Sequence, residues 1–254
     1  MILSVVILFT DYDYMLLNRA VSSIREHIKF NNYEIIAVDN RDQNKDLISI
    51  FNVKIITQNK NLYTFEGRHF GFKQSSGKYI WNFDADDVMI EDLYLEDFPL
   101  VDTDFIQINF ESADKAKPKL EFGRHPFNYG CSVWSRFYNR NILEKVYSKL
   151  EKKIYVPKFE DLLLLDLVWS LKPKYEYINK RLYQYNCLGS NTNKNLKTNI
   201  EKLGFDSYYY IYEMVLGKKG YANSLKNRIL RILEVEEKKC RNLKKNKNIA
   251  SQKS

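Results

Sequence analysis

Gly77-Lys78-Tyr79-Ile80-Trp81-Asn82-Phe83-Asp84-Ala85-Asp86-Asp87 is the stretch from which the fold of this chain is read. Tyr79 to Phe83 are aromatic or β-branched apart from Asn82, which suits a packed, pleated strand. Gly77 punctuates its start. Asp84, Asp86 and Asp87 then crowd like charges into one turn, which is unfavourable without a proton or a cation to offset them. A divalent metal carrying a diphosphate meets that need, since magnesium is commonly held by one or two carboxylates plus substrate phosphates. The competing explanation is local: Asp favours turns and helix N-caps, and a helix is expected from Val88 to Asp97.

Upstream, Ile2 to Phe9 is a continuous apolar run, the mark of a strand buried on both faces. Leu16, Leu17, Ala20, Val21, Ile24 and Ile28 recur at helical spacing. Tyr33 to Val38 reads as a second strand ending at Asp39-Asn40, Asp46 to Phe51 as a short helix, Val53 to Ile56 as a third strand, and Phe65 to Gln74 as a helix. Strand and helix alternate, so the class is α/β with a mainly parallel sheet flanked by helices. Ligands of such sheets sit beyond the carboxyl ends of the strands. Thr10, Asp39, Asn40 and Asp84 to Asp87 all follow strand ends and are expected to converge on one crevice. There is no Gly-x-Gly-x-x-Gly after the first strand and no Gly-x-x-x-x-Gly-Lys-Ser/Thr, which disfavours a Rossmann dinucleotide site and a P-loop.

Downstream, Phe105 to Phe110 alternates as a strand, and Ser112 to Arg124 is a polar loop. Asn141 to Leu150 reads as a helix, and Phe159 to Trp169 as an apolar helix opening on Glu160-Asp161. Acids there also complement the helix dipole. Tyr175 to Ile178 and Arg181 to Tyr185 read as two closing strands. The character changes after Gly189: a Tyr-rich helix (200–216) is followed by the apolar stripe Leu225, Ile229, Ile232 and Leu233 among Lys and Arg. The expected organisation is a catalytic domain over 1–190 and a basic helical extension over 191–254.

The 254 residues are 44% hydrophobic and 28% charged, an ordinary globular balance able to bury a sizeable core. The net charge of +8 favours anionic partners such as nucleotide diphosphates or an anionic membrane face. Cys131, Cys187 and Cys240 lie far apart without metal-ligand spacing, which fits free thiols in a reducing cytoplasm. Met1 to Phe9 lacks a basic leader and is too short to span a bilayer.

Four segments together resemble the family 2 glycosyltransferases, inverting enzymes of GT-A fold. Asn61, Gly67-Arg68-His69-Phe70-Gly71 and Ser76 to Ile80 resemble the family's approach to its aspartates. Asp84-Ala85-Asp86-Asp87 is similar to its metal-binding Asp-x-Asp-Asp, and Trp134 to Arg140 to its Trp-x-x-x-Tyr-x-Arg segment. Glu160-Asp161, Leu182 to Tyr185 and Ser190-Asn191-Thr192 resemble its Glu-Asp base motif and closing strands. Two segments depart: Phe9-Thr10-Asp11-Tyr12 stands where Pro-Thr-Tyr-Asn is usual, and Asp39-Asn40-Arg41-Asp42 where Asp-Asp-Gly-Ser is usual. Both contact the nucleotide base in the family, so the base stays open, with UDP the expectation. His69 replaces the usual Asn.

The resemblance implies Mn2+ or Mg2+ held chiefly by Asp86, with Asp84 sharing it or contacting the ribose, and Asp161 as catalytic base with Glu160 orienting it. Asp87 is either a helix cap or a further ligand. Arg68 either pairs with diphosphate oxygens or forms a surface salt bridge. Thr10, Asp39 and Asn40 are candidates for the base and ribose, and Trp134 for a sugar platform or a core residue. The implied partners are a nucleotide-sugar donor and a glycan or lipid-linked acceptor of surface polysaccharide synthesis. The basic helix is a candidate for the inner membrane face or for homo-oligomer contact, with no nucleic acid expected. Two rival readings are a sugar-nucleotide nucleotidyltransferase, disfavoured because Ile7 to Asp13 has no glycine, and a basic nucleic-acid-binding module.

Overall fold

The computed structural model describes residues 1–9, 14–41, 49–57, 62–113, 132–148 and 160–186. All of them belong to the first of two compact units, Met1–Gly204, the second being Phe205–Ser254. The first three residues of the helix expected from Asp46 to Phe51, the loop after Ala113, all three cysteines, the boundary at 190 and the basic tail lie outside the described residues.

The apolar runs become strands: β1 (Leu3–Phe9), β2 (Tyr33–Asp39), β3 (Lys54–Thr57) and β4 (Tyr79–Asp84). They pair in parallel in the order β3-β2-β1-β4. Their carboxyl ends therefore share one edge. Helix α1 (Tyr14–His27) buries Leu17, Ala20, Val21 and Ile24, the stripe expected from its 3.6-residue period. Helix α2 (Tyr63–Gln74) returns the chain from β3 to β4.

Past β4 the sheet turns mixed, continuing β4-β7-β6-β8-β5. β6 (Phe105–Ser112) and β7 (Arg136–Asn139) are antiparallel, and β8 (Tyr175–Tyr185) runs parallel to β6. The two closing strands expected from sequence are one strand. The break suggested by Asn179-Lys180 is taken up as a register shift against Ile108, Asn109 and Phe110. Helices α3 (Arg140–Ser148) and α4 (Glu160–Trp169) complete the described elements.

The helix expected from Val88 to Asp97 does not form. Val88–Met89 is a short strand, β5, antiparallel to β8, and only Leu95–Asp97 makes a 3-10 turn. Between them the Leu93 N–H donates to the His27 carbonyl and the Lys29 N–H to the Leu93 carbonyl, both at 2.9 Å. Tertiary backbone pairing replaces the i→i−4 ladder that the composition favours. Ser49 to Phe51, the described end of another expected helix, is also non-helical.

The core beneath the carboxyl edge is aromatic. Trp81 is fully buried, packs edge-on to Phe83 and Phe137, and donates its indole N–H to the Trp134 carbonyl at 2.7 Å. On the other face, α2 lies unusually close to the sheet. A Cβ on Gly71 would come within 2.3 Å of Val6 Cγ1 and 2.9 Å of Val38 Cγ2. One helical turn earlier, a Cβ on Gly67 would meet Leu8 Cδ1 at 2.6 Å. These two glycines let the helix descend onto β1 and β2, which fixes the height of Arg68 between them.

Gly71→Ala is therefore expected to lower stability by about 1–3 kcal/mol through overpacking, despite the better helix propensity of Ala. Urea denaturation measures it, and a stabilised variant would contradict the close packing.

Candidate active site

Strand β4 delivers Asp84 to the carboxyl edge, and the chain turns there, with the Asp87 N–H donating to the Asp84 carbonyl at 3.2 Å. Arg68 on α2 is 5% exposed and reaches the same place. One guanidinium nitrogen donates to Asp84 Oδ1 at 3.0 Å. The other donates to Asp161 Oδ1 at 2.6 Å and approaches Glu160 Oε1 at 3.4 Å. Glu160 and Asp161 are the first two residues of α4. One planar fork thus ties the acidic turn to the expected base, the kind of geometry a Lys ammonium does not offer.

The charges are heavily perturbed. Burial opposes the Arg68 charge, but Asp161, Asp84 and Glu160 outweigh it and hold its pKa above the ordinary arginine value. Burial, then Asp161, pushes the Glu160 carboxyl up to about 8 against the pull of Arg68. Burial also lifts Asp161, opposed by Arg68 and reinforced by Asp84. Asp86 is raised by burial and by Asp84. These are like charges gathered in a partly desolvated place, the pattern typical of functional sites.

Asp87 proves different in kind. It is fully buried, and burial followed by Asp84 lifts its carboxyl to about 8. The Tyr183 hydroxyl donates to its Oδ2, and the Asn186 N–H donates to its Oδ1 at 2.6 Å. The helix-cap alternative does not hold for it. No helix follows to be capped, and its oxygens are bonded to β8 and the residue after it.

The remaining candidates divide. Asp39 is buried, and both its oxygens accept from Arg41, at 2.8 Å from Nε and 2.6 Å from a terminal nitrogen. Asn40 Oδ1 accepts the Leu62 N–H at 2.7 Å, and its Nδ2 donates to the Tyr63 carbonyl at 3.4 Å. This amide steadies the start of α2, where Tyr63 has φ 59, a left-handed conformation that an aromatic residue rarely adopts. The Asn40 amide, a candidate for the nucleotide base, is thus bonded on both sides within the protein. Of the two readings for Trp134 the structure shows the core one: it is 7% exposed and stacks on Tyr183 at 4.5 Å and 4°. His69 stacks on Tyr147 at 4.0 Å, and burial with nearby Lys73 lowers its pKa to about 4, so it sits neutral. Thr10 lies outside the described residues.

Sequence reasoning passed over Arg19, Tyr183 and Asn186. Arg19 donates to the Asp86 carbonyl at 2.6 Å and Asn186 Nδ2 to the same carbonyl at 2.7 Å. The Asp84 N–H donates to the Tyr183 hydroxyl at 3.3 Å. Only the place of Tyr183 and Asn186 at the end of the closing strand hinted at this.

Among the described residues no three His, Cys, Asp or Glu side chains form a group able to hold a metal alone. The donor set that does fit a hard divalent cation is Asp86 with Asp84, two carboxylates that leave the other positions to phosphate and water.

Two outcomes follow. Arg68→Ala leaves carboxylates from two elements facing each other and is expected to cost about 3 kcal/mol by urea denaturation, the low end for a broken buried pair, because the acids keep some water. A loss below about 1 kcal/mol would show the fork to be structurally idle. Glu160 has a folded-state pKa raised from 4.5 to about 8. The stability contributed by its proton is complete below about 4.5 and is lost as pH rises toward about 8. Glu160→Gln keeps a neutral group throughout, so its denaturation midpoint should fall less than the parent's across that window, and parallel profiles would contradict the assignment.

The chain was compared with known proteins. The sequence model of "Glycosyl transferase family 2" matches residues 4–149. No curated protein matches. Among solved structures, residues 1–349 of S. aureus TarS superpose with a TM-score of 0.63 at 16% identity, covering 91% of this chain and 69% of that one. The same TarS segment in complex with UDP-GlcNAc gives 0.67 at 16% identity, covering 91% and 70%. Its complex with UDP gives 0.61 at 15% identity, again covering 91% and 70%. At such identity the superposition speaks for the fold, a GT-A-like α/β architecture. The family match spans more than half of the chain and displaces the nucleotidyltransferase and nucleic-acid readings. This chain belongs to glycosyl transferase family 2 and is a nucleotide-sugar glycosyltransferase.

Proposed function

We propose that the enzyme transfers a hexosyl or hexosaminyl group, with inversion, from a UDP-sugar to a hydroxyl of a glycan or lipid-linked acceptor. The carrying observation is the Arg68 fork, bonded to Asp84 on one side and to Asp161 on the other. It joins a donor-side acid to an acceptor-side acid through one buried cation. The TarS segment solved with UDP-GlcNAc and with UDP supports the choice of nucleotide.

In this reading the acceptor oxygen attacks the anomeric carbon from the face opposite the diphosphate. The bond from that carbon to the β-phosphate oxygen breaks, and UDP leaves with the electron pair. Asp161 takes the hydroxyl proton during the attack, and its raised pKa makes it a stronger base than an ordinary aspartate. Glu160 stays protonated beside it near neutrality, which spares Asp161 a second full negative neighbour. Arg68 keeps Asp161 and Asp84 in register. Asp86, with Asp84, would hold Mn2+ or Mg2+, which supplies Lewis-acid stabilisation of the departing diphosphate when bound.

The same proposal includes the division at 190. The basic segment 191–254 is read as a contact for an anionic inner-leaflet surface or for a second copy. Among the described residues no helix is long and apolar enough to cross a membrane.

Asp161→Asn and Asp86→Asn are each expected to reduce transfer at least about 100-fold. Asp86→Asn should leave the thermal unfolding midpoint near the parent's, whereas Asp161→Asn, which weakens a bond to the buried Arg68, should lower it while the chain still folds. Asp161→Asn should still bind UDP with Mn2+, and Asp86→Asn should bind it more weakly. A panel of nucleotide diphosphates with and without Mn2+, read by thermal shift, reports the base. Unchanged turnover in either variant would remove its assigned role.

A further inference from the structure

The acidic turn is held by β8, and we infer that Asp87, Tyr183 and Asn186 form a positioning clamp that sets the Asp84 and Asp86 carboxylates for a cation-bound diphosphate. This deepens the metal reading of the proposed function and rests on it. Four contacts make the clamp. The Tyr183 hydroxyl donates to Asp87 and accepts the Asp84 N–H at 3.3 Å. The Asn186 N–H donates to Asp87 at 2.6 Å, and its side chain donates to the Asp86 carbonyl at 2.7 Å. A single hydroxyl therefore bridges the first and last acids of the turn, and Asn186 grips the backbone of the middle one.

The arrangement gives the three aspartates different tasks. Asp84 and Asp86 are partly open to solvent, whereas Asp87 is fully buried beneath them. Its carboxylate is an internal strut from turn to strand. Arg19 bonds the same Asp86 carbonyl from α1 at 2.6 Å, so the middle acid is held from both sides. Tyr183 is itself immobilised. Its ring stacks on Trp134 at 4.5 Å and packs on Phe83 at 4.8 Å. The clamp thus stands on the aromatic core, and a small displacement of β8 would reach both acids. Misplacing ligands by about 1 Å is enough to weaken a preorganised site severely.

Tyr183→Phe deletes the bridging oxygen and keeps the ring, so folding is expected to survive. Asn186→Ala acts from outside the core. Calorimetric titration of UDP is run on wild type and both variants, once with Mn2+ and once with chelator. The expected result is UDP affinity about 10-fold weaker than wild type in the presence of Mn2+, unchanged in chelator, with the unfolding midpoint in chelator little altered for Asn186→Ala. A wild type indifferent to Mn2+ overturns the metal reading and this inference together. A Mn2+-dependent wild type matched by both variants overturns the inference alone, as does equal weakening with and without Mn2+, which would mark general disorder of the site.

Discussion

Arg68 binds together parts of the chain that are far apart in sequence. Its guanidinium lies out of water, where an unpaired charge is prohibitive, and it is compensated by Asp84 from β4 and by Glu160 and Asp161 from α4. The dependence runs both ways. Without the guanidinium, the acids would crowd across a poorly screened gap; without the acids, the Arg68 charge would be driven from that depth toward solvent. Neither α2 nor the start of α4 can shift independently while this holds. The geometry of the candidate site is therefore a condition on the packing rather than an addition to it.

That condition explains features that look unrelated. Gly67 and Gly71 bring α2 down to the sheet, and Arg68 follows Gly67 directly, so the reach of its side chain is set by how closely the backbone lies on Val6 and Leu8. The start of the same helix carries the φ 59 of Tyr63, steadied by the Asn40 amide. Such strain persists where surroundings over-determine it. Asn40 in turn follows the last residue of β2, its N–H donating to the Phe9 carbonyl at 2.9 Å. The end of β2, the start of α2 and the depth of Arg68 form one mechanical series.

The parallel half of the sheet was readable because β1, β2 and β4 are buried on both faces and therefore apolar along their length. The misreadings share a physical cause. Val88 to Asp97 has helix-forming composition, yet its backbone groups find partners on β8 and α1, and propensity loses to pairing across long separations. Arg68 was open between diphosphate oxygens and a surface salt bridge; it is buried instead, and two of its three partners were not legible because they sit 92 and 93 residues away. The three aspartates of the turn are chemically alike in sequence, and only burial separates Asp87 from the others. Tyr183 is one of nineteen tyrosines, and nothing in its flanking residues marks its hydroxyl as a bridge.

The charge balance carries the last step. Among the described residues, five acids gather around the turn and Arg68: Asp84, Asp86, Asp87, Glu160 and Asp161. Glu160, with its carboxyl near 8, keeps its proton at neutral pH, whereas both Asp87 oxygens accept hydrogen bonds from β8 and Asn186. Asp84, Asp86 and Asp161 remain against Arg68 and, on the exposed side, Arg19. An anionic diphosphate entering this edge would meet a surplus of its own sign. Asp86 and Asp84 are partly open to solvent, and burial together with Asp84 already makes negative charge on Asp86 costly. Under the proposed function, a donor accompanied by a divalent cation would turn that repulsion into attraction, so the same acids would favour the metal-bound diphosphate over the bare one.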